Sequence, residues 1–243
     1  MIPSSDQIRH YLMDQFSQES ERDRQVRVGP SELGGCAFDV GYAMARKFYD
    51  LPPREGSGFG YAAKLGTMLH HWMENFMPMP EGTQREVKVE TVEVKGYGLI
   101  KGTTDLIIPA WEAVGDWKWP GKYSYDKYAL LKRLGKPLPN NYRYQVQLYA
   151  HGARRLGVPV SRGLVFVWPR HSNSLDDLLV FEEPYNEQMV ELVRQRAEAI
   201  LEDVHDGNLW AIQSEPDCFN CDRHGRPAEI NDYRDLVKEE QTA

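Results

Sequence analysis

An α/β fold, with a central mixed sheet that contains an antiparallel three-strand meander and is flanked by helices, follows from two features of the 243-residue chain. Apolar residues recur at helical spacing in the first third and again after Pro184, while the middle alternates at period two as strands do. Pro and Gly fall where one period gives way to the other.

Ile8, Leu12 and Phe16 follow Ser4 and Ser5 and make a first amphipathic helix. A second begins at Pro30 and Ser31 and carries Leu33, Ala37, Val40 and Met44 on one side, with Cys36 within it. Pro52, Pro53 and the glycines at 56, 58 and 60 separate it from a third helix, Phe59 to Met77. Arg85 to Val94 alternates apolar and polar, with a slip at Thr91 and Val92 that predicts a bulge. Lys95 to Gly98 is a turn, Leu99 to Ile108 a second strand, and Glu112 to Trp119 a third. Helices follow at Ser124 to Leu134 and Tyr142 to Leu156. Gly163 to Trp168 reads as a buried strand with Leu178 to Phe181 as its neighbour. A long helix after Pro184 places Met189, Leu192, Val193, Ile200, Leu201 and Val204 on one stripe and stops at Gly207.

The chain is 41% hydrophobic and 11% aromatic, enough for a packed core. No apolar run reaches the roughly 18 residues of a membrane span, and the N-terminus lacks a secretory pattern, so a cytoplasmic location with no membrane partner is expected. Three cysteines, an odd number, argue against a disulfide scaffold. A net charge of −7 points away from nucleic acid if it is spread evenly.

Four short motifs carry chemistry. In Asp116-Trp117-Lys118 the carboxylate and the ammonium share one face of a strand, where the first can hold an oxygen-seeking ion and the second can orient water. Gly102 to Asp105 lies on the preceding strand, and the short connection allows Asp105 to converge with Asp116. His70 and Glu74 are one helical turn apart, so an imidazole can complete the ion's coordination while Glu74 reaches a second ion or buttresses His70. Gln145 and Tyr149 project together from a later helix. Singly, each is more often an ordinary ion pair or helix surface.

Together, His, GxxD, DxK and QxxxY in this order resemble the PD-(D/E)XK nuclease superfamily, in particular the RecB-like exonuclease branch of CRISPR-associated and phage enzymes, over Ser31 to Cys221. The resemblance implies a restriction-endonuclease-like core within a single nuclease domain spanning 1–243. In it, 1–80 are helical, 84–183 form the sheet core, 184–206 the long helix and 207–243 a cysteine-containing tail. It implies that His70, Asp105 and Asp116, with the Trp117 carbonyl, hold magnesium or manganese. Lys118 is then the catalytic lysine and Gln145 and Tyr149 the helper pair. The implied activity is metal-dependent hydrolysis of DNA phosphodiesters, as an exonuclease. The rival reading is a non-catalytic nucleic-acid-binding or assembly subunit on the same fold. A redox enzyme built on the cysteines is a third.

Iron–sulfur members of this branch place one Cys early and a CxxC-x5-C group late. Here Cys36, Cys218 and Cys221 match, but position 227 is Pro227. A four-thiolate 4Fe-4S site is therefore incomplete, and His224 is the nearest fourth ligand for iron–sulfur or zinc.

The charge is not spread evenly. Between Trp117 and Arg143, seven basic residues meet one acid, a net of +6 that leaves −13 for the rest. Lys122, Lys127, Lys132, Arg133 and Arg143 alternate with Trp119, Tyr123, Tyr125, Tyr128 and Tyr142. Cations neutralise phosphates and exposed rings stack on unpaired bases, which makes Lys122, Tyr123, Lys127, Lys132, Arg133 and Arg143 candidates for contacting DNA with free ends or single-stranded character.

Overall fold

The computed structural model describes residues 6–11, 28–53, 61–216 and 218–237, with the side chains of 61–63, 219, 223 and 224 outside that set. Its centre is a five-stranded sheet in the order β1-β2-β3-β4-β5. The strands are β1 (Gln84–Val94), β2 (Gly98–Ile108), β3 (Ala113–Lys118), β4 (Arg162–Val167) and β5 (Leu179–Pro184). The first three form the antiparallel meander, β3 runs parallel to β4, and β5 returns antiparallel, so the sheet is mixed. The register slips between Glu90 and Glu93, where a bulge was expected. Thr91 is buried at that slip, donating to the Ile100 carbonyl, while its own carbonyl accepts from Arg155.

The helices are α1 (Pro30–Leu33), α2 (Ala37–Phe48), α3 (Tyr61–Phe76), α4 (Lys122–Arg133), α5 (Asn140–Arg155), α6 (Glu187–His205) and α7 (Phe219–His224). The parallel crossover from β3 to β4 runs through α4 and α5. Residues 6–11 are also helical; Leu12 and Phe16 of the expected first helix lie outside the described residues.

Two expectations are corrected. The second helix is broken into α1 and α2 at Gly34 and Gly35, and Cys36 becomes the N-cap of α2. A Cβ on Gly34 would lie 2.8 Å from the Asn141 carbonyl oxygen, so the break lets α5 approach the backbone here. Leu192 is exposed, and Val190 and Ala197 join the buried stripe of α6 in its place. Six hydrophobic positions over five turns can be fitted by two stripes offset by one residue, and only packing against α2 decides between them.

Each face of the sheet carries a core. On one face, Trp117 packs 4.4 Å from Phe166 and joins Met73 of α3, Leu106 and Ile108. Trp119 stacks between Trp117 and Trp168. On the other face α5 buries Val146, Ala150 and Ala153 against the strands. A larger core gathers α2, α6 and the far ends of β1 and β2. Arg85 ties β1 to α3, its guanidinium donating to the carbonyls of Met73, Glu74 and Met77 and so satisfying the helix's last turn. No helix among the described residues is long and apolar enough to cross a membrane.

Candidate active site

The β2–β3 ladder ends at the Leu106–Gly115 pair, and the next positions outward are Asp105 and Asp116. Beyond that point the Trp117 amide has no β2 carbonyl to meet and instead donates to Asp105 Oδ2 at 2.7 Å. Alternation along β3 turns Trp117 into the apolar core and leaves Asp116 and Lys118 on the opposite face. Lys118 Nζ stands 2.8 Å from Asp116 Oδ2 and 5.3 Å from the ring centre of Tyr142.

The neighbouring helices complete the site. From α3, His70 Nδ1 lies 3.3 Å from Asp105 Oδ2. From α5, Gln145 Nε2 donates to Asp116 Oδ1 at 2.9 Å and to the Tyr149 hydroxyl at 3.3 Å. These six side chains line one cleft of about 840 Å³. Glu74 also lines it but pairs with His71 rather than with His70.

Burial first, and the Asp116 charge second, hold the Asp105 carboxyl well above the usual carboxylate range. Burial and the same charge push the Tyr149 phenol up, so it keeps its proton. Two buried carboxylates side by side repel each other until a cation or a proton intervenes. Asp116 is 2% exposed, and its Oδ2, although beside Lys118, is in hydrogen-bond alignment with no donor. Two carboxylates and an imidazole facing one cleft are a donor set that suits magnesium or manganese. The three groups are not drawn tightly together, however: among the described residues, only Cys36, Asp39, Cys218 and Cys221 bring such ligand atoms all within 4.8 Å of one another.

Two residues at the cleft escape a reading by sequence. Glu86 lies in β1 between the Arg85–Leu106 and Val87–Thr104 pairs, which sets it beside Asp105. Its φ of 48° is left-handed within a strand, and its charge adds to the pressure on Asp105. In the run Arg85 to Val94 it looks like any solvent-facing strand acid. Glu32 lines the same cleft and accepts from the Gly29 amide at the start of α1; a Ser-x-x-Glu search misses it because the N-cap is Gly29.

The candidate DNA-contacting residues divide. Lys122, Tyr123, Lys127, Lys132 and Arg133 are exposed on α4, Tyr123 at 86%. Lys122 pairs with Asp126, and Lys132 donates to the Val180 carbonyl. Arg143 is instead clamped by both oxygens of Glu183, at 2.9 and 2.8 Å. Trp117 and Tyr128 are core residues, whereas Tyr123 and Lys127 line a second, larger cleft that also reaches Cys36 and Cys218. The three cysteines converge as expected, while the His224 side chain lies outside the described residues.

A model of the PD-(D/E)XK nuclease superfamily matches residues 10–226, and the chain belongs to that superfamily. Among solved structures, the fold is similar to an alkaline exonuclease (LHK-Exo) from Laribacter hongkongensis, with 11% identity over 79% of this chain and 96% of that one and a TM-score of 0.53. The same enzyme in complex with dAMP matches at 10% identity over 82% and 95%, with a TM-score of 0.51. The crystal structure of SSO0001 matches at 21% identity over 84% and 86%, with a TM-score of 0.47. No curated protein sequence matches the chain significantly.

Proposed function

We propose that this nuclease is a metal-dependent DNA exonuclease acting as one unit over 1–243 in the cytoplasm. The observation that carries the reading is the convergence of Asp105, Asp116 and Lys118 in one cleft, with His70 and Gln145 in contact with the two carboxylates. His70, Asp105, Asp116 and the Trp117 carbonyl would hold magnesium or manganese. When bound, the ion acidifies water and neutralises charge on the scissile phosphate.

Every other part of the work falls to the chain. Lys118, confined by Asp116 and the Tyr142 ring, holds its ammonium where it orients the attacking water and meets charge developing on phosphate. Gln145 fixes the rotamer of Asp116 through Oδ1, and Oδ2 lies against Lys118. Tyr149 accepts from Gln145 and keeps its own proton to donate. The exposed cations of α4 and the Tyr123 ring would guide a DNA strand toward the cleft. Preference for free ends or single strands is supported by this one exposed ring and by the fold shared with an alkaline exonuclease.

The test is cleavage of end-labelled single-stranded and duplex DNA with and without magnesium or manganese. Mononucleotide release that requires metal supports the reading. Tight DNA binding without cleavage would favour the non-catalytic subunit.

A further inference from the structure

We infer that Cys36, Asp39, Cys218 and Cys221 form a mononuclear tetrahedral zinc site, with Asp39 as the fourth ligand. The site stands apart from the proposed active site and does not depend on the nuclease reading.

The distances carry the inference. A tetrahedral zinc with bonds of about 2.3 Å to sulfur and 2.0 Å to oxygen sets sulfur–sulfur edges near 3.8 Å and sulfur–oxygen edges near 3.5 Å. Cys36 Sγ and Cys221 Sγ are 3.9 Å apart. Asp39 meets the other two thiols through different oxygens, Oδ2 at 3.6 Å from Cys218 Sγ and Oδ1 at 3.8 Å from Cys221 Sγ, so either oxygen is near the ion's position. One ligand atom from each of the four lies within 4.8 Å of all the others. In an iron–sulfur cubane each thiolate binds its own corner iron and points outward, so thiolates stand farther apart than the ligands of one ion do. The site is too tight for the cluster and the right size for a single ion. Zinc takes carboxylate oxygen beside thiolate sulfur, so a Cys3Asp donor set suits it.

The surroundings fit thiolates. Ser214 Oγ donates toward Cys221 Sγ at 3.3 Å, and the Glu215 amide donates toward Cys36 Sγ at 3.4 Å. Asn220 Nδ2 donates to Asp39 Oδ2 at 3.0 Å, orienting the carboxylate. Arg196 of α6 fixes this shell from behind: it donates to the Leu33 and Gly35 carbonyls and pairs with Glu215. Outer contacts of this kind set ligand direction and basicity in metal sites. Binding would release the three thiol protons and convert the sulfurs to thiolates with no change of oxidation state. The ion would join residues 182 apart in sequence, clamping the start of α2 to the C-terminal tail.

The experiment is elemental analysis of the full chain purified without oxygen, followed by zinc removal and cobalt titration of the wild type, Asp39→Ala and His224→Ala. The expected result is one zinc per chain, little iron and no acid-labile sulfide. Cobalt should give tetrahedral ligand-field bands with thiolate charge transfer. Asp39→Ala should weaken cobalt binding at least tenfold and shift those bands, and His224→Ala should change neither. Where Asp39→Ala fails to fold, zinc X-ray absorption of the wild type decides: three sulfurs and one oxygen without imidazole outer-shell scattering is expected. Stoichiometric iron with sulfide, imidazole scattering, loss of metal only in His224→Ala, or failure of the wild type to bind any ion would each overturn the assignment.

Discussion

Gln145 reaches across from α5 to donate a 2.9 Å hydrogen bond to Asp116, a carboxylate on a central strand 29 residues earlier. Both side chains are buried, so the bond has no water to replace it. Gln145→Ala is expected to leave Asp116 Oδ1 without that donor, at a cost of about 1–3 kcal/mol in stability. It should also lower cleavage well beyond what lost stability explains, because the Asp116 rotamer is freed. Urea unfolding beside cleavage rates checks both; an active variant with wild-type kinetics would remove Gln145 from the site.

Asp105 makes metal-free stability depend on pH. Its folded-state pKa is raised by burial and by Asp116, so the native state keeps a proton over a range where the unfolded chain has released it. That contribution is fully present below the ordinary aspartate pKa and is lost as pH rises through the raised value. Asp105→Asn cannot ionise and should therefore gain on wild type, by urea midpoint in chelator, as pH rises from the carboxylate range to neutrality. A constant difference between the two proteins across that range would show that Asp105 is not perturbed.

Arg143 and Lys127 should behave differently. Arg143, bound by both oxygens of Glu183, acts within the fold, and Arg143→Ala is expected to cost about 1–2 kcal/mol, reduced by its partial exposure, with little change in the salt dependence of DNA binding. Lys127→Ala should leave the melting temperature in place and lower the salt slope by about one counterion. Equal slopes for Lys127→Ala and wild type would remove α4 from the DNA path.

Gly163 sets how closely α5 approaches the sheet. A Cβ there would lie 2.6 Å from Val146 Cβ, one residue from Gln145, with the Val146 carbonyl 3.5 Å away. Gly163→Ala should destabilise by about 1–3 kcal/mol and reduce activity by displacing α5. A variant with unchanged melting and cleavage would show that the helix tolerates displacement.

Much of this site was legible because its parts are local. Period gives a carboxylate and a lysine on one strand face and a Gln–Tyr pair one helical turn apart, and the order of the motifs, through the family resemblance, joined them into one set. Relationships across the chain were not. Asp39 reads as an ordinary acid in the first turn of a helix until the tail folds back upon it, and Glu86 reads as a strand-surface acid until register sets it against Asp105. Arg143 counted as a free cation only while its partner forty residues later was out of sight. Trp119 alternates with the cations of the basic segment in sequence, yet it stacks between Trp117 and Trp168, and Trp117 packs against Phe166. Pattern shows which face a side chain takes, and tertiary packing decides whether that face meets solvent.

The most direct test of the account is release of labelled nucleotides from DNA ends by wild type and Asp116→Ala, in magnesium or manganese and in chelator. The account predicts metal-dependent release by the wild type and loss of at least a thousandfold in Asp116→Ala with DNA binding retained. Equal release by both proteins, or release that persists in chelator, would contradict it.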